Sequence, residues 1–112
     1  MDSTRAGLEH LARKEPDRAA QAFREALVAD PGNLEAREGL ARALLALGRH
    51  QEALGELNSV LGRDPRRGSA ERIRSEVLMA LGRYDEAVFH LRRAMDLDDR
   101  QGAGGGAPED GA

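Results

Sequence analysis

The stretch ALGRHQEAL at residues 46–54 returns as ALGRYDEAV at residues 80–88. The offset is 34 residues, and it holds along the chain. Ala19, Ala53 and Ala87 align, as do Phe23, Leu57 and Leu91, and then Leu27, Leu61 and Met95. Asp30-Pro31 falls on Asp64-Pro65 and then on Asp98-Asp99. Gly48 falls on Gly82, with Lys14 at that place in the first copy. Self-similarity at such a period marks a stack of small units, because one unit cannot bury its own apolar face and needs its neighbours.

Each unit reads as two helices. In the second copy Leu40, Ala43, Leu44 and Leu47 lie three and four apart and give one apolar helical face. Gly48 follows as a helix-ending residue. A second periodic run, Ala53, Leu54, Leu57, Val60 and Leu61, then closes at Asp64-Pro65, where proline cannot continue a helix. Two helices of about 14 residues, each roughly 21 Å long, make an antiparallel hairpin. Only 3% of the residues are aromatic, so Leu and Ala must do most of the packing, which suits close-packed helices.

These features resemble the tetratricopeptide repeat. The carriers are the 34-residue period, the Ala-x3-Phe/Leu-x2-Ala/Val pattern and the closing proline. AAQAFREALVADP and ALGELNSVLGRDP fit closely, and AVFHLRRAMDLDD fits except at its last residue. The resemblance covers about residues 2–99. It implies an all-α chain: an α-solenoid of three antiparallel helix hairpins in a right-handed superhelix, with copies at about 1–33, 34–67 and 68–99. No C-terminal capping helix is expected. Residues 100–112, RQGAGGGAPEDGA, are dominated by Gly and interrupted by Pro108, and are expected to form a flexible tail. Their G-x-G-x-x-A spacing has no strand before it and no helix after it, so it is not read as a dinucleotide loop.

The copies also differ. His10 and Arg13 occupy places filled by Leu44 and Leu47, so the first helix is expected to draw its apolar face from Leu8, Leu11 and Ala12. In the third copy Arg74 and Ser75 replace Leu40 and Ala41, with Ile73 as compensation. Phe89 stands where Gln21 and Gly55 stand in the other copies. One reading makes it a covered position on an uncapped end, where burial would contribute about 1.5–3 kcal/mol. The other makes it a lone exposed aromatic. A cover would be a second copy of the chain, another protein or the tail.

The resemblance further implies that the first helix of each hairpin lines a concave groove that takes extended or helical peptide segments. Carried over position by position, the groove holds Thr4, Leu8, Leu11 and Ala12, then Glu35, Glu38, Arg42, Leu45 and Ala46. In the third copy it holds Ser69, Arg72, Glu76, Met79 and Ala80. Leu11, Leu45 and Met79 would form an apolar stripe, or pack as core between helices. Glu38 would face Arg72, and Arg42 would face Glu76, as a self-satisfied charge network or as a ligand-reading site. Family members that grip chaperone C-termini use a Lys/Asn/Arg clamp. The corresponding places here hold Thr4, Leu8, Gly39, Ser69 and Ile73, so a chaperone C-terminus is not the expected ligand. A basic cluster, Arg63, Arg66, Arg67, Arg72 and Arg74, brackets the second inter-repeat turn and is diluted by Asp64, Glu71 and Glu76.

Enzyme chemistry finds little support. The absence of Cys excludes disulfides, thiol catalysis and Cys-based zinc sites. His10, His50 and His90 have no metal-binding spacing. With 17 basic and 20 acidic residues the net charge is −3, which does not favour nucleic-acid binding. The N-terminus lacks a signal peptide's basic start and apolar core, and no run approaches the ~20 apolar residues of a membrane span. The expectation is a cytoplasmic, non-enzymatic module without cofactor or metal. It would bind a protein or peptide in the groove of Leu8, Leu11, Glu35, Glu38, Arg42, Leu45, Arg72, Glu76 and Met79. The alternative is a self-assembling scaffold that forms homo-oligomers through its uncapped terminal helix.

Overall fold

The computed structural model describes residues 2–102, with side chains through Asp99. These residues form six helices: α1 (Ser3–Ala12), α2 (Pro16–Ala29), α3 (Leu34–Ala46), α4 (His50–Arg63), α5 (Gly68–Ala80) and α6 (Tyr84–Gly102). They pair as three hairpins, α1–α2, α3–α4 and α5–α6, and α2 packs on α3 as α4 packs on α5. The chain is an all-α solenoid.

Local chemistry sets the element ends. The Asp2 side chain accepts from the Thr4 amide, and the Asn33 side chain accepts from the Ala36 amide, which caps α1 and α3. Pro16 opens α2, where its missing N–H is no loss. Gly48 and Gly82 end α3 and α5 at φ of 79° and 78°, a region open to glycine. The Arg49 amide donates to Leu44 O and the Gly48 amide to Leu45 O, the paired bonds of a Schellman cap. Lys14 takes the same place at φ 61°, with the same two bonds shifted back by one repeat. The first copy therefore keeps its register despite its poor apolar pattern.

The core runs through the stack. Ala19, Phe23, Ala41, Leu44, Ala53, Leu57, Ile73, Val77 and Leu78 are all buried in one cluster. Ile73 does compensate in the third copy, and the buried Ser75 hydroxyl donates to Arg72 O.

Two expectations change. Leu8 and Ala12 are exposed and supply no core face to α1; its buried residues are Thr4 and Gly7. Among the described residues nothing packs on the outer side of α1, so that side can be polar. There Asp2, Glu9 and Arg13 stand where Ala36, Ala43 and Leu47 stand in copy two. The last helix also runs past 99 to Gly102, into the segment expected as tail. Asp98-Asp99 lacks the proline that stops α2 and α4, so the helix continues. The rest of the expected tail, residues 103–112, lies outside the described residues.

Candidate functional site

The first helix of each hairpin faces inward. α1 approaches α3 and α3 approaches α5, whereas α2 and α4, or α4 and α6, make no close backbone approach. The inner helices crowd and the outer ones fan apart, so the stack curves around α1, α3 and α5.

A cavity of about 560 Å³ opens on this inner side. Leu8, Leu11 and Ala12 line it from α1, Glu35, Glu38, Gly39 and Arg42 from α3, and Ser69 and Ile73 from α5, with Arg67 at its edge. A second hollow of about 410 Å³ continues it along Lys14, Pro16 and Ala46, sharing Leu11 and Arg42. Of the nine expected groove residues, Leu8, Leu11, Glu35, Glu38 and Arg42 line the main cavity. Leu8 is exposed and Ile73 forms part of the core beneath, so the apolar part of the wall is not closed.

The charges sort differently from the expected checkerboard. Glu38 is buried and does not meet Arg72. It accepts from Arg67 Nε and from Ser69 Oγ, the latter at 2.9 and 3.0 Å to its two oxygens. Arg67 stands at the N-cap of α5, beside the Glu38 carboxylate, and satisfies it there. Arg72 turns outward instead and pairs with Asp98 on α6. Glu35 and Arg42 are exposed and have no ion-pair partner among the described residues. The cavity thus offers one free carboxylate and one free guanidinium.

The other expected positions fall outside it. Thr4 is buried, and its hydroxyl accepts from Asn33 Nδ2 at 3.0 Å, tying the first hairpin to the second. Leu45 packs partly into the core, while Glu76 and Met79 are exposed beyond the cavity wall. The three-residue stripe of Leu11, Leu45 and Met79 is therefore broken: two members are half-buried and only Met79 projects. Arg67 was legible only as one of a basic cluster, and Lys14 and Pro16 carried no signal for the groove.

Two of the five arginines of the basic cluster meet acidic partners other than those expected. Glu38 holds Arg67 and Asp98 holds Arg72, while Glu71 is occupied elsewhere. Buried Glu71 accepts from Arg93 Nε at 2.7 Å and lies 2.8 Å from His90 Nδ1, locking α5 to α6. His10 lies 2.7 Å from Glu15, and this hydrogen bond holds the Glu15 carboxyl below its usual range. Among the described residues no group of three or more His, Asp and Glu could hold a metal ion. No described helix is long and apolar enough to cross a membrane.

One family model of the tetratricopeptide repeat matches residues 10–77 and another matches 73–101. The chain belongs to the tetratricopeptide repeat family. Solved structures agree. The TPR2B domain of yeast Sti1, in a complex named for pHsp70, superposes with a TM-score of 0.82 at 23% identity, over 91% of this chain and 82% of that one. The second TPR of Spaghetti (RPAP3), bound to the HSP90 peptide SRMEEVD, gives 0.78 at 20% identity, over 85% and 88%. MamA of MSR-1 gives 0.78 at 31% identity over 88% of this chain, which spans 56% of its length. No curated protein matches the sequence. Tetratricopeptide repeat proteins are generally protein-interaction modules rather than enzymes.

Proposed function

We propose that this tetratricopeptide repeat domain binds a peptide or helical segment of a partner protein in the groove formed by α1, α3 and α5. The supporting observation is the cavity of about 560 Å³, whose lining combines apolar Leu8, Leu11 and Ile73 with free Glu35 and Arg42. Such a lining suits a segment with an aliphatic anchor beside a carboxylate for Arg42. A chaperone C-terminus is not the ligand this reading expects, because Thr4, Leu8, Gly39, Ser69 and Ile73 stand at the clamp places of that groove. The neighbours whose names include Hsp70 or HSP90 support the interaction class without naming the partner. We read the module as non-catalytic and cytoplasmic. Affinity capture from the native cell tests the groove: Leu8→Glu with Arg42→Glu should lose the partners that the wild type retains, and unchanged capture would remove the groove reading.

A second reading is self-assembly through the uncovered face of α6. It is favoured by an exposed row of apolar side chains there.

A further inference from the structure

The same four helix positions can be followed through the three copies. At the first, Pro16 and His50 are half-buried but Tyr84 is exposed. At the second, Ala20 and Leu54 are 2% and 8% exposed but Val88 is 45%. At the third, Phe23 and Leu57 are fully buried but Leu91 is 42% exposed. At the fourth, Leu27 and Leu61 are half-buried but Met95 is exposed. In copies one and two the next hairpin covers this row. On α6 the row keeps its apolar character, and no described residue covers it. Phe89, the residue that drew attention in the sequence, lies off this row. At about 100° per residue it sits more than a quarter turn away, with its ring edge-on to His90.

The opposite end of the stack does not complement this row. The outer side of α1 carries Glu9, with the cap residues Asp2 and Arg13 at its two ends, so head-to-tail stacking would press Val88 and Leu91 against charges. The row does complement itself. Residues 84, 88, 91 and 95 are spaced four, three, four, which reads the same in either direction. Two antiparallel copies of α6 would set Tyr84 against Met95 of the partner subunit and Val88 against Leu91 of the partner subunit. Asp85 and Arg92 flank the row on one side, and neither has an ion-pair partner among the described residues. A two-fold axis brings the Asp85 of each copy within about 3 Å along the helix of the other copy's Arg92. The row exposes on the order of 400 Å² of apolar surface, the scale of a functional patch. Two copies with their polar rims reach roughly 1,000 Å², the lower bound of a specific interface.

We propose that the occupant of this face is a second copy of the chain, in a closed two-fold dimer built on antiparallel α6 helices. This rests on the self-assembly reading and specifies its geometry.

Two measurements separate the reading from the geometry. Sedimentation of the full chain over a concentration series should show a monomer–dimer equilibrium without larger species. Leu91→Glu, at an exposed position that leaves the fold intact by circular dichroism, should raise the dissociation constant by about tenfold or more. A chain that stays monomeric to its solubility limit overturns both the reading and the proposal. The chain has no cysteine, so single introduced thiols report cleanly. In the antiparallel dimer the two copies of residue 88 are about 4–5 Å apart along the helices, and those of residue 84 about 16 Å. Val88→Cys should therefore cross-link to itself through a short bis-maleimide. Tyr84→Cys should not, but should cross-link when mixed with Met95→Cys. Association with Tyr84→Cys linking to itself would mean parallel pairing, and a ladder of oligomers would mean an open filament; either overturns the geometry alone.

Discussion

The ring of Phe23 fills the space that a Cβ on Gly39 would need: such an atom would lie 2.3 Å from Phe23 Cζ. Across the first inter-repeat interface the chain thus sets its largest core side chain against its smallest residue. The matching positions at the second interface are Leu57 and Ile73, both buried, so volume is exchanged between partners. Gly39→Ala should destabilise the domain by about 1–3 kcal/mol through overpacking. Phe23→Leu in the same chain should recover part of that loss. Urea melts of the two single variants and the double variant form a cycle, and simple additivity would refute the contact.

Lys14 holds the left-handed cap that Gly48 and Gly82 hold in the other copies. A side chain in that region costs about 1–2 kcal/mol, partly offset by the greater unfolded freedom of glycine. Lys14→Gly should stabilise the fold by about 0.5–1 kcal/mol, and Gly48→Ala should destabilise it by a similar amount. Thermal melts of the two variants would move in opposite directions; a fall in both would contradict the cap assignment.

Much of the fold was readable because each repeat writes its own punctuation. Gly48, Gly82, Pro31 and Pro65 fix where helices stop, and the period transfers one copy's reading to the others. The terminal faces were harder. Val88, Leu91 and Met95 match core positions in the repeat, so their letters do not mark them as exposed; the uncapped terminal helix expected from residues 100–112 foretold an open face only in general. Phe89 stood out by breaking the repeat and lies exposed on another side of the same helix from the apolar row. The groove was legible by position but its charges were not. Arg67 and Ser69 lie 29 and 31 residues from Glu38, and which of several Arg side chains reaches a given carboxylate depends on tertiary placement.

Glu71 accepts from Arg93 and contacts His90, and its side chain is nearly fully buried. Glu71→Ala removes the acceptor while leaving two donors beside an emptied site, so it should cost about 1–3 kcal/mol. The loss should fall on the last hairpin, because the carboxylate joins α5 to α6. Native-state hydrogen exchange should show lowered protection in α6 with little change in α2; uniform loss along the chain would argue against a local role.

The groove assignment is tested most directly by peptides selected from a random display library on the wild-type chain. Their affinities are then measured by calorimetry on the wild type and on Leu8→Glu, Arg42→Glu and Leu91→Glu variants. Leu8→Glu and Arg42→Glu should each weaken binding by about tenfold or more, and Leu91→Glu should leave it unchanged. Peptides whose affinity ignores Leu8 and Arg42 but falls with Leu91→Glu would contradict the account and move the binding surface from the concave groove to the end face of α6.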